Sequence, residues 1–210
     1  MSSAPSIVIA GRQLSNDDAV SAFRNYYPDT VARYDLPGPG DPFTLTRDEV
    51  TRTRVVNSRI SNVHADWFVE RGQTAPWPPA DANLYNADPA LQGGVYDQMD
   101  DCYRNFWIDV PRGVNMGQIS KVIHIKRPNA FPILDSEVQK CYGLAARRQA
   151  VKYPDRKSKR MYWAAIRNDL IINTESGALA ELRDTLFRSP ALQAYTKLTD
   201  LRLLDVLTWR

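Results

Sequence analysis

Cysteine and histidine are scarce in this 210-residue chain. Cys102 and Cys141 lie far apart, and His64 and His124 are the only histidines. That supply supports neither a disulfide framework nor a zinc or iron–sulfur cluster of usual spacing, so the cysteines read as small apolar core residues, no metal or other cofactor is expected, and a reducing cytoplasm is the expected compartment. Long hydrophobic runs are missing as well. The first twelve residues hold one short apolar run, Ile7 to Ala10, with no basic leader, and no stretch approaches eighteen uncharged apolar residues, so neither secretion nor membrane insertion is expected. No period of twenty to fifty residues recurs and no low-complexity tract appears, which sets aside solenoids and arrays. Strand signals are few, with only Ser6 to Ala10 reading as a short strand.

What is present is the composition of a folded globular protein: 43% hydrophobic and 24% charged residues, with 27 Lys and Arg against 24 Asp and Glu. The net charge of +3 hides an uneven distribution. Residues 1–111 carry a net −6, residues 112–167 a net +10 and residues 168–210 a net −1. The chain therefore reads as a single helical domain over 1–210, divisible into an acidic lobe (1–111) with a proline-rich loop and a basic lobe (112–210). The densest positive run is Arg147, Arg148, Lys152, Arg156, Lys157, Lys159, Arg160 and Arg167, interleaved with Tyr153, Tyr162 and Trp163. A concentrated positive field with aromatic neighbours is the footprint of a polyanion-binding face, and it also fits a solvated basic loop between helices.

Helical punctuation is clear along the chain. Asn16-Asp17-Asp18 opens an apolar stripe through Ala19, Val20, Phe23 and Tyr27 that Pro28 should end. The segment 36–42 holds three prolines and two glycines and must be a loop. Thr46 to Glu49 fits a capping box opening a helix towards Ile60, followed by a shorter helix at 65–69. Residues 72–89 read as a long irregular segment around Trp77, and Asp88-Pro89 as the start of a helix running to Trp107. Further helices are expected over 118–126, 136–152, 158–172, 177–187 and 199–209. The fold class is all-α.

The most informative stretch runs from Val110 to Val138. A Pro and Gly turn leads into a helix bearing Lys121, His124 and Lys126, Arg127-Pro128 stops it, and Pro132-Ile133-Leu134 delivers Asp135 at the head of the next helix. There Asp135 should accept free amides of the first turn and feel the positive end of the helix dipole. Capping alone accounts for such an aspartate, and a chemical role is equally compatible with that place. His124 reads as a structural or solvent-facing histidine or as a phosphate contact. Lys126-Arg127 reads as a helix-end charge or as a phosphate contact.

Two resemblances rest on these residues. Val110-Pro-Arg-Gly-Val114, followed by the segment from Arg127 to Asp135, resembles the hairpin and the Pro-Val-Asp segment of helix-hairpin-helix DNA glycosylases, over about thirty residues. This turn lacks the compact Pro-Gly-Val-Gly form, and Leu134 is one residue more than that family carries before its aspartate. The pattern Lys121-x-x-His124-x-Lys126-Arg127-Pro128, with Pro132-x-x-Asp135-Ser136-x-Val138 and the ending Leu201 to Trp209, is similar to a largely actinobacterial family of uncharacterised proteins. The glycosylase resemblance implies a helical bundle with long Pro/Gly-rich loops and a DNA-repair hydrolase that excises or recognises a base.

On that resemblance Asp135 would be the key carboxylate and Lys121 a second catalytic candidate. Lys126, Arg127, His124, Arg147, Arg148, Lys152, Arg156, Lys157, Lys159 and Arg160 would meet nucleic acid, DNA before RNA. Trp77, Tyr162 and Trp163, with Trp67 and Tyr85 behind them, would be stacking candidates. Two other readings stay open: a non-enzymatic nucleic-acid-binding or regulatory module, and an enzyme on a small nucleotide, which would show a deep pocket instead of an open basic groove.

Overall fold

The structure, a computed structural model, describes residues 6–209, so the leader reading of residues 1–5 lies outside it. It is mainly α-helical. The chain begins with the strands β1 (Ile7–Ile9) and β2 (Arg12–Leu14), paired antiparallel with Ile7 opposite Leu14. Ala10 and Gly11 join them with φ of 52° and 76°, the positive pair that a two-residue hairpin needs to match strand twist. The second strand escapes a sequence reading because Arg12 and Gln13 are exposed and polar and only Leu14 is buried.

The helices follow as α1 (Asn16–Asn25), α2 (Pro28–Thr30), α3 (Arg47–Arg52), α4 (Asn62–Gln73), α5 (Val95–Asn105), α6 (Met116–Lys126), α7 (Ser136–Lys152), α8 (Tyr162–Glu175), α9 (Ala178–Arg188) and α10 (Asp200–Val206). Local chemistry explains most boundaries. Thr46 and Glu49 form the capping box of α3, and Asn115 and Gln118 form another at α6. Pro28 does not simply terminate α1. It occupies the first position of α2, where a missing N–H costs nothing, and the chain winds on through one π turn, Val31–Asp35. The helix expected from Asp88 starts only at Val95, because Gly93 takes φ of 70° and breaks the ladder.

One apolar cluster draws on residues from Ile7 to Leu207, and α7 and α8 make the most extensive helix pair in it. The hairpin is pinned to α8 by side chains one turn apart. Asn173 exchanges two hydrogen bonds with the backbone of Val8, and Asp169 accepts from Ala10 N.

At the centre lies α6. Every residue from Gln118 to Lys126 is buried, so this helix is enclosed on all sides although it carries Lys121, His124 and Lys126. Enclosure of that kind requires a partner for each polar group, and each has one. Lys121 Nζ donates to Val56 O at 2.7 Å, and His124 Nδ1 lies 2.6 Å from Phe131 O. Lys126 Nζ meets Glu49 Oε1 and the carbonyls of Pro39 and Asp41.

Candidate functional site

Between the N-terminal third and the helix-6 to helix-7 connection opens a cleft of about 790 Å³, within the size range of ligand pockets. Its walls come from five parts of the chain. Tyr26, Tyr27 and Arg33 stand on one side, Arg52 and Arg54 on the α3 side, Lys121 on α6, Asp135 at the head of α7, and Arg202, Asp205 and Trp209 at the C-terminal helix.

Asp135 caps α7 as its place in the sequence implies: Oδ1 accepts from the amides of Glu137 and Val138, both at 3.1 Å. Its other oxygen, Oδ2, is enclosed and has no hydrogen-bond partner. Lys121 lines the same cleft without forming an ion pair with Asp135. Burial draws the Lys121 ammonium down from its ordinary value, and the nearby Asp135 carboxylate opposes that.

In the same cleft, Arg202 is held almost wholly out of solvent between two carboxylates. Its Nε donates to Asp35 Oδ1 at 2.9 Å, one terminal nitrogen pairs with Asp205 Oδ2, and the other donates to Tyr26 Oη at 2.8 Å. Burial raises the Asp35 carboxyl and Arg202 pulls it back. Asp205 mirrors Asp135: one oxygen is committed to the protein, and Oδ1 is enclosed and unpartnered. Arg52 adds an enclosed Nε with no acceptor while its terminal nitrogen serves Gly38 O. Folded proteins pair nearly all buried polar atoms, and of the enclosed side-chain atoms without a partner among the described residues, Arg52 Nε, Asp135 Oδ2 and Asp205 Oδ1 belong to residues of this cleft while others lie elsewhere.

The other candidate residues are placed differently. His124 is fully buried, stacked 6.1 Å from the Tyr34 ring, and burial pushes it down to about 3, so it is a neutral core side chain with no face for a phosphate. Lys126 and Arg127 are equally enclosed. Arg127 donates to Pro78 O and Pro42 O and lies over the rings of Phe43 and Trp77. Together the two cations tie the proline-rich loops of the acidic lobe to the end of α6, because loop carbonyls without ladder partners need donors. Lys126 Nζ and the Nε and Nη1 of Arg127 serve that role, and Arg127 Nη2, though unpartnered, is enclosed in the protein, which corrects the expectation of phosphate contact.

The stacking candidates are corrected on the same ground. Trp163 is buried edge-to-face against Tyr96, Tyr103 and Phe131, Tyr162 is buried beside it, and half-buried Trp77 donates Nε1 to Gly72 O. Trp67 packs on Phe68 and Phe106, and Tyr85 Oη reaches Glu175. The exposed aromatic rings at the cleft are instead Tyr27, 70% exposed, and Trp209, 37% exposed, beside the buried Tyr26.

Of the basic run, Arg147, Arg148, Lys152, Lys157, Lys159 and Arg160 are exposed, and Arg156 is tied to Asp97 and to Pro89 O. None of these lines the main cleft; Arg156, Lys157 and Arg160 border a separate depression of about 390 Å³. Three of the cleft's four arginines, Arg33, Arg52 and Arg54, come from the acidic lobe. Sequence reasoning passed over Arg33, Arg52, Arg202, Asp205, Tyr27 and Trp209. The signal for one pair was present: Arg202 and Asp205 stand three apart inside the otherwise apolar Leu201 to Leu207, where charges persist only if paired.

Among the described residues no group of three or more His, Cys, Asp or Glu could hold a metal ion, and no helix is long and apolar enough to cross a membrane. The fold and site thus define a mainly helical protein with a ligand-sized cleft of enclosed, mixed charge. A family model matches residues 76–210, and the chain belongs to that family, DUF6308, a family of unknown function. No curated protein and no solved structure matches it. The matched region holds Lys121, Asp135, Arg202 and Asp205, whereas the opposing wall from Tyr26 to Asn57 precedes it.

Proposed function

We propose that this protein binds a nucleotide unit of a nucleic acid, DNA in preference to RNA, in the cleft and acts at its glycosidic bond as a helix-hairpin-helix glycosylase does. The observation that carries this reading is the unpartnered Asp135 Oδ2 at the wall of a cleft that also holds Lys121. Breaking the bond between C1′ and a base leaves a cationic sugar, and a carboxylate held close stabilises that charge and orients the attacking water. The bond's electron pair leaves on the base, the water oxygen joins C1′, and Asp135 takes the water's proton. Lys121, whose ammonium is drawn down by burial, supplies a cation towards the leaving base. As an amine nucleophile it would first have to release the Val56 carbonyl.

Extruding a base costs a few kcal/mol, offset here by stacking on Tyr27 and Trp209 and by phosphate contact with Arg33 and Arg54. The exposed run from Arg147 to Arg160 would carry flanking phosphates. A second reading, an enzyme on a free nucleotide, is favoured by the absence of that run from the cleft wall. Incubating the protein with single-stranded and duplex DNA carrying a panel of altered bases, and separately with free deoxynucleotides, decides between them. Alkali-labile abasic sites in the DNA are the expected product. Base release from free nucleotides alone would transfer the activity to the second reading.

A further inference from the structure

A buried cluster of charges shares the cleft with Asp135. Arg202 is one cation enclosed between two carboxylates, Asp35 and Asp205, and only Asp205 of that pair lines the cleft. Arg52 adds a second guanidinium that acts on Asp35, and the pair with Arg202 is the one that holds Asp205. The oxygen left without a partner is on the cleft-lining residue, Asp205 Oδ1. Asp205 is 6% exposed and Asp135 7%, so the two carboxylates are themselves little solvated and their charge is weakly screened.

Resting on the reading of the cleft given above, we propose that Asp205 is its second working carboxylate, and that with Asp135 it receives a positively charged centre of the bound nucleotide, namely the sugar as the bond to its base breaks. Arg202 is the positioning residue: it fixes Asp205 Oδ2 and leaves Oδ1 for the ligand. In the reaction Asp205 forms and breaks no bond. It opposes the charge that appears on the sugar ring when the electron pair leaves with the base.

The probes are two DNA duplexes, one with a pyrrolidine in place of a deoxyribose, charged at neutral pH, and one with the neutral tetrahydrofuran. The wild-type protein binds the charged duplex more tightly. Asp205→Asn and Asp135→Asn each reduce that preference about tenfold, the scale of one hydrogen bond to a charged group, and leave tetrahydrofuran affinity in place. Loss of preference in Asp135→Asn with full retention in a folded Asp205→Asn overturns the inference and leaves the glycosidic reading standing. Absence of any preference in the wild type removes that reading too. Should Asp205→Asn lose its near-UV circular dichroism, Asp205→Glu, which keeps the charge and a partner for Arg202, retains the preference; its loss there overturns the proposal equally.

Discussion

Lys126 Nζ lies 2.5 Å from Glu49 Oε1, a buried ion pair that joins α6 to α3 across 77 positions of sequence. The same ammonium takes the carbonyls of Pro39 and Asp41, so one side chain organises the loop that precedes the α3 wall of the cleft. Lys126→Met strands the Glu49 carboxylate and those carbonyls, and urea unfolding should show a loss of about 3–5 kcal/mol. A loss below about 1 kcal/mol would mean the pair is solvated.

Capping and chemistry at Asp135 are separable. Asparagine caps almost as well as aspartate, so Asp135→Asn should melt within about 1 kcal/mol of the wild type, whereas Asp135→Ala, which leaves the Glu137 and Val138 amides unserved, should cost about 0.5–2 kcal/mol. Thermal denaturation of both variants checks this, and equal costs would show that the carboxylate charge, not the cap, stabilises α7.

Two buried groups pull the pH dependence of stability in opposite directions. His124 is pushed down to about 3 by burial, so on acidification below its unfolded value near 6.5 only the unfolded chain gains the proton, and stability falls. Asp169 is raised to about 6 by burial, so its contribution is complete below the unfolded value near 4 and is lost as pH rises through 6. Each changes stability by roughly 1.4 kcal/mol per pH unit, and between about pH 4 and 6 they largely cancel. Asp169→Asn removes one arm. Urea midpoints at pH 4, 5 and 6 should then fall more steeply towards acid than in the wild type; parallel curves would refute the assignment.

The exposed basic run makes a prediction of its own. Replacing Arg147, Arg148, Lys152 and Lys159 by glutamine should lower the slope of log affinity against log salt for duplex DNA by roughly 0.9 for each phosphate contact removed. An unchanged slope would mean that this face is simply solvated.

Much of the helical frame was legible because its signals are local. The span Ser136–Lys152, the capping box at Thr46 and the cap at Asp135 depend on neighbours a few positions away, and they fold as written. What the sequence concealed is long-range. Charge counting made residues 112–167 the anion-binding part, yet Lys126 and Arg127 answer loop carbonyls up to 87 positions distant, and three of the cleft's four arginines come from the acidic lobe. Aromatic residues beside the basic run pointed outward on paper, but Trp163 serves a cluster with Tyr96 and Phe131 that no spacing reveals. Asp135 and Lys121 were recognisable from their place at a helix head and one helix before it. Asp205 was not, because a charged residue in an apolar stripe declares only that it is paired, not what its second oxygen faces.

The most direct test of the account is single-turnover base release at Asp135. With enzyme in excess over a duplex carrying a released base, Asp135→Asn should bind the duplex as the wild type does and release the base at least about a hundredfold more slowly. Equal rates in the two proteins, with folding and affinity unchanged, would show that this carboxylate only caps a helix and that the chemistry assigned to the cleft is wrong.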